Sequence, residues 1–165
     1  PTITFDESFQ SFLLKTSDLV MNQGSIYFSN NKNKFYSIDP QTGFINWTQD
    51  VNSDLRPILV DNIIFTVSSS GYLYILDKNS GNIIRITDIL GDFKFKKRKK
   101  IKLSRFVIGN ENIYISTSGG KLIVVSIESG KQKLIYKISK GSISRPYVNN
   151  RNLYVAKSNE IIRLN

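Results

Sequence analysis

The chain repeats itself. A stretch of some twenty residues occurs at four places: Asp18 to Asp39 (DLVMNQGSIYFSNNKNKFYSID), Arg56 to Asp77 (RPILVDNIIFTVSSSGYLYILD), Arg105 to Ser126 (RFVIGNENIYISTSGGKLIVVS) and Arg145 to Asn165 (RPYVNNRNLYVAKSNEIIRLN). Written beneath one another they align without a gap, at displacements of 38, 49 and 40 residues. Self-similarity at this period restricts the chain to copies of one supersecondary unit, each burying its apolar faces against its neighbours.

Each copy predicts short strands, because apolar runs of four to six residues alternate with Asn, Asp, Gly and Ser clusters. In the second copy the strands are Ile58 to Val60, Ile63 to Val67 and Tyr72 to Leu76, and a fourth run, Ile83 to Thr87, follows the turn Asp77 to Gly81. Aligned columns hold Tyr27, Phe65, Tyr114 and Tyr154; Ile26, Ile64, Ile113 and Leu153; and Phe35, Leu73, Leu122 and Ile162. Apolar residues on both faces of a strand mean a sheet covered on both sides. Four-stranded antiparallel units of about 40 residues fit the blades of a β-propeller better than the short parallel turns of a solenoid. The expected fold is therefore all-β, a propeller of four-stranded antiparallel blades over residues 1–165, with repeats near 18–50, 56–90, 105–139 and 145–165. Residues 1–16 fall in the register of a fourth strand, with Phe9 in the column of Trp47, Arg85 and Leu134. That segment either closes the last sheet or belongs to a preceding blade.

The formal charge is +10, yet seven basic residues lie between Lys94 and Lys102, and without them the excess falls to +3. The body of the fold is thus only mildly basic. Cysteine and histidine are absent, which removes disulfides, thiolate nucleophiles, the usual zinc ligands and the commonest general base. No apolar run is long enough for a membrane-spanning helix.

The units YLYILDKNSGNIIR and KFYSIDPQTGFINWTQDV resemble the L-x-A-L-D-x-x-T-G-x-x-x-W repeat of PQQ-like propellers. Within that group, the half blade Arg145 to Asn165 and the placing of Trp47-Thr48-Gln49 are similar to the BamB-type outer-membrane protein assembly factors, a family of eight-bladed lipoproteins of the β-barrel assembly machinery. The resemblance implies about half of an eight-bladed propeller, lying in the periplasm at the inner face of the outer membrane. It also implies a non-enzymatic scaffold without cofactor, whose partners are other barrel-assembly proteins and the missing blades. The alternative functions are half of a PQQ-dependent dehydrogenase, and a binder of anionic surfaces. Quinone enzymes of the group stack a Trp in the central funnel beside calcium-binding acids and a Cys pair, whereas Trp47 falls in the outer-strand column.

Asp39 and Asp77, each four residues before a glycine, are read as turn caps, since alternating oxygen ligands of a calcium loop are missing. The candidate contact site is the insert 93–103, with Lys94, Lys96, Lys97, Arg98, Lys99, Lys100 and Lys102. Such a run attracts acidic protein surfaces, anionic lipid head groups or phosphates, with nucleic acid the least favoured partner. Like charges repel, so the insert is expected to be exposed and mobile, with Phe93, Phe95, Ile101 and Leu103 available as hydrophobic anchors. Arg56, Arg105 and Arg145 head the first strand of three copies, placing them either in a guanidinium ring at one face or in bridges between blades.

Overall fold

The computed structural model describes residues 16–30, 32–53 and 55–164. Four antiparallel sheets follow one another along the chain. The first holds β1 (Val20–Asn22), β2 (Ser25–Ser29), β3 (Lys34–Ile38) and β4 (Ile45–Asp50); the second holds β5 (Ile58–Val60), β6 (Ile63–Val67), β7 (Tyr72–Asp77) and β8 (Ile83–Asp88). After a single helical turn, α1 (Phe95–Arg98), the third holds β9 (Leu103–Gly109), β10 (Asn112–Thr117), β11 (Lys121–Ser126) and β12 (Gln132–Lys137). The last has three strands, β13 (Tyr147–Asn149), β14 (Asn152–Lys157) and β15 (Glu160–Leu164). Each sheet is a meander with its strands in sequence order, one propeller blade.

The turns explain why each copy doubles back. Between first and second strands the chain makes two-residue hairpins whose residues take positive φ, as at Asn110 and Glu111 (49° and 61°) and Asn150 and Arg151 (47° and 63°). That geometry matches the twist of the flanking strands. Third and fourth strands slip register at one equivalent place in three sheets, Ser37/Ile38, Ile75/Leu76 and Val124/Val125. A bulge therefore precedes each Asp or Ser turn and tilts the fourth strand away.

Alternation along the second strand assigns the two faces. Ile64 and Ile113 point back into the core shared with the preceding blade, whereas Tyr27, Phe65 and Tyr114 point forward into the core shared with the next. Three inter-blade cores result. Tyr27, Phe35, Val51, Ile64 and Leu76 fill the first, Val67, Leu73, Ile113 and Ile123 are among the residues of the second, and Leu122, Val124, Leu153 and Val155 of the third. Phe35, Leu73 and Leu122 are fully buried, and truncation of one such side chain costs about 2–5 kcal/mol.

A serine just before or at the start of the first strand secures three of the blades to their second strand, twelve residues on. Ser17 Oγ accepts from the Ser29 N–H (3.0 Å), Ser104 Oγ donates to the Ser116 carbonyl (3.1 Å) and Ser144 Oγ accepts from the Ala156 N–H (2.8 Å). In the second copy the position is Leu55, and Ser53 substitutes by donating to the Val67 carbonyl at 2.7 Å.

Two sequence expectations need correction, and one lies outside what is described. The gapless alignment fails in the fourth copy. Tyr27, Phe65 and Tyr114 pair with Ser37, Ile75 and Val124, but Tyr154 pairs with Arg163, one residue early. The Ser158-Asn159 hairpin has lost a residue, and in a strand a one-residue slip exchanges the faces. Ile162 consequently leaves the column of Phe35, Leu73 and Leu122 and packs backward into the third core opposite Val155. Secondly, the insert is not a bare loop: Phe93 and Ile101 pack on the second core and Leu103 is buried within it. Of the four expected anchors only Phe95 is exposed, at 70%. The expectation that residues 1–16 supply an additional strand falls almost wholly on residues outside the described range; Thr16 itself bridges Asn30.

Candidate functional site

Antiparallel strands alternate direction, so the starts of the first strands, the turns between second and third strands and the connections between blades share one face of the disc. That face carries the insert. Arg98 fastens it: its guanidinium contacts the Asp88 carboxylate at 2.6 Å, donates to the Ser70 carbonyl at 3.1 Å and lies 5.3 Å from the centre of the Tyr72 ring. The hydrogen bond to Asp88 raises the pKa of Arg98 above its already high ordinary value. Arg98 is thereby spent on structure, and Lys94, Lys96, Lys97, Lys99, Lys100 and Lys102 are left exposed around α1. Lys99 Nζ sits 4.4 Å from the centre of the exposed Phe95 ring. Lys97, Lys100 and Lys121 also border a shallow cavity of about 270 Å³ floored by Phe93 and Ile101. The structure thus groups six of the seven basic residues selected from sequence and gives the seventh an internal role.

Nearer the centre, Arg56, Arg105, Arg145 and Asp18 line a cavity of about 390 Å³ with Leu55, Ser104 and Phe106. These four charged residues hold the same position in the four copies. Among the described residues none of the three guanidinium groups has a hydrogen-bonding or ion-pair partner. The bridge between blades comes instead from Arg85, which donates to the Ile127 and Glu128 carbonyls of the following blade. Lys121, Lys137, Lys140 and Lys157 add to the same face, against Asp18, Asp50, Asp88, Asp92 and Glu160. On the opposite face Lys78, Lys131, Lys133 and Arg151 are balanced by Asp39, Asp61, Asp77, Glu111 and Glu128. The positive excess of the described chain is therefore one-sided.

That opposite face holds structural devices. Asp77 Oδ1 accepts from the Ser80 N–H (2.7 Å), the Ser80 hydroxyl (2.8 Å) and the Asn79 N–H (3.1 Å), and the Ser80 bonds lower its pKa. Asp39 caps the Gln41 and Thr42 N–H groups in the same way, while Gly43 and Gly81 take φ near +73°. Trp47 reaches across to the next blade, donating from Nε1 to the Lys78 carbonyl (3.1 Å) and stacking on Phe35 (5.9 Å between centroids). Lys78, nearly fully buried, reaches back to Gln23 Oε1 (2.7 Å) and Asn22 Oδ1 (3.2 Å). No sequence signal singles out Lys78, since its copies are Pro40 and Ile127.

The family model described as outer membrane protein assembly factor BamB matches residues 6–87. The outer membrane protein assembly factor BamB of Legionella pneumophila (strain Paris) is 24% identical over 113 residues, 67% of this chain and 27% of that protein. The crystal structure of BamB from Moraxella catarrhalis superposes with a TM-score of 0.67 at 14% identity, over 89% of this chain and 41% of that one. The likeness in sequence, over residues 6–87, is to the PQQ-like β-propeller repeats of BamB, and the fold is that of a β-propeller. The chain spans about a quarter of the length of the curated BamB that it matches. Other members of this fold superpose as well: the computationally designed Ika4 protein (TM-score 0.71, 11% identity, 90% of this chain and 89% of that one) and the quinohemoprotein alcohol dehydrogenase of Comamonas testosteroni (0.58, 17%, 73% and 20%). At these identities the likeness is one of fold alone. Among the described residues the donor set does not suit a quinone with its calcium: Trp47 is committed to the Lys78–Gly81 turn, and the cavity lining offers one carboxylate, Asp18, among three arginines.

Proposed function

We propose that the chain is part of a non-enzymatic scaffold of the cell envelope, a portion of a larger PQQ-like propeller that binds proteins of outer-membrane barrel assembly. The domain 1–165 is, in this reading, a partial propeller completed by further blades, and it works in the periplasm at the inner face of the outer membrane. The observation that carries the reading is the agreement of family model, curated relative and superposed structure on BamB. The one-sided charge supports it, because a rigid disc with a basic face offers a docking surface for an acidic protein partner at no cost to its core. Lys94, Lys96, Lys97, Lys99, Lys100 and Lys102 are the contact residues, with the Phe95 ring as the apolar centre of the patch.

Photo-crosslinking tests this in the full-length protein expressed in a Gram-negative periplasm, with the crosslinker at position 95. The expected product joins the propeller to a component of the barrel-assembly complex, and it disappears when Lys96, Lys97, Lys99 and Lys100 become Glu. An abundant, folded protein that gives no such product, while quinone-dependent dye reduction copurifies with it, defeats the proposal.

A further inference from the structure

The central cavity is a second basic site, independent of the insert and of the scaffold reading. We infer that the mouth lined by Arg56, Arg105 and Arg145 binds the carboxylates of an extended acidic peptide. The three arginines occupy one repeat position, so each is delivered to the cavity by a different blade. Structural work for that position is already done by neighbours: the adjoining serines secure the second strands, and Arg85 bridges the blades. Among the described residues the guanidinium groups have no partner, and all three residues are exposed.

Geometry selects the ligand. Packed sheets stand about 10 Å apart, so neighbouring arginine stems are separated by roughly that distance around the wall. A compact dianion such as phosphate satisfies one fork at a time, and its density of charge is opposed by Asp18. A peptide in the extended polyproline II conformation rises about 3.1 Å per residue with three residues per turn, so acidic side chains three residues apart share one face and match the arginine spacing. Each carboxylate meets one planar fork in bidentate fashion. Leu55 and Phe106 provide apolar wall for side-chain methylenes, and Asp18 can accept a peptide N–H. A volume of about 390 Å³ accommodates a few side chains but not a folded domain.

The test is calorimetry on the 165-residue chain at low salt, with an acetylated and amidated peptide bearing glutamate at every third position, and inorganic phosphate as second probe. One peptide is expected per chain. The double variant Arg105→Ala/Arg145→Ala weakens binding at least about tenfold, since charge-assisted bidentate pairs are lost. Asp18→Asn tightens it by about threefold, because a like charge leaves the mouth. Lys96→Gln/Lys97→Gln/Lys99→Gln, which removes more charge from outside the cavity lining, weakens binding less than the arginine pair does, because those lysines act at a distance rather than by direct contact. The inference is overturned if the wild type does not bind the peptide, if the insert variant loses as much as the arginine variant, or if Asp18→Asn leaves affinity unchanged. It is equally overturned if phosphate at the peptide's concentration displaces it. Thermal melting of each variant separates lost binding from lost fold, which at these exposed positions is expected to be intact.

Discussion

Gly81 shows how much a single residue holds in this fold. It takes φ of +74°, and a Cβ there would lie 2.4 Å from Trp47 Cε3, inside the ring that covers it. Gly81→Ala therefore suffers twice, once from backbone strain of about 1 kcal/mol and once from a ring it cannot displace without cost. Chemical denaturation is expected to show a loss of about 3 kcal/mol. In a Trp47→Ala background the same substitution costs only the backbone part, a non-additivity that a double-mutant cycle measures directly. Asp77 is the titratable counterpart. Its folded pKa is lowered by the Ser80 N–H and hydroxyl, so its stabilisation is fully present above the ordinary carboxylate value and is lost as pH falls through the lowered one. Unfolding midpoints measured from neutral to acid pH are expected to fall less for Asp77→Asn than for the wild type across that window. These turns were legible in the sequence, because Asp and Gly at a fixed spacing after an apolar run have one economical conformation.

At the level of the element, the insert and the last hairpin were the parts that sequence misread. A run of seven cations in nine residues suggests a repelled, mobile loop, and composition carries no sign that Phe93, Ile101 and Leu103 face inward. The decisive contact is longer in range. Arg98 is one basic residue among seven until the fold brings Asp88, Ser70 and Tyr72 around it. Arg98→Ala is expected to cost about 1 kcal/mol, given a partly exposed ion pair and one cation–π contact, and to speed amide exchange at residues 97–101 about tenfold. Unchanged exchange there would mean that Phe93 and Ile101 hold the segment alone. The Ser158-Asn159 hairpin was misread for another reason. A gapless alignment rewards matched residue types, and Ile161 and Ile162 fill an apolar column equally well, so only strand pairing distinguishes the two registers.

For the whole molecule, the repeat fixed the number of blades and the direction in which each face points. It follows that the first and last sheets carry faces suited to neighbours: Met21, Ile26 and the stacked Phe28 and Tyr36 on one, Tyr147, Tyr154 and Ile161 on the other. Tyr147 and Ile161 are 63% and 79% exposed. Such surface favours association at roughly 25 cal/mol per Å². Light scattering on the 165-residue chain is expected to give masses above 18.8 kDa that grow with concentration, and Tyr147→Ser/Ile161→Lys is expected to return the monomer. A wild type that stays at 18.8 kDa at every concentration would show these faces to be satisfied within the chain.

The grip between blades has a direction. Trp47 of the first blade holds the turn of the second, and Arg85 of the second holds the turn of the third; in both, the fourth strand reaches forward along the chain. Trimming is therefore unequal from the two ends. Deleting the first blade vacates the seat at Lys78–Gly81 and takes away the Gln23 and Asn22 acceptors of the Lys78 ammonium but leaves the Arg85 clasp closed, whereas cutting after the second blade leaves the Lys78 contacts intact and strands the Arg85 guanidinium. The same polarity applies while the chain is being made. The indole of Trp47 has no seat until residue 81 has left the ribosome, and Arg85 none until residue 128 has, so the first two blades stay unlatched until their successors arrive.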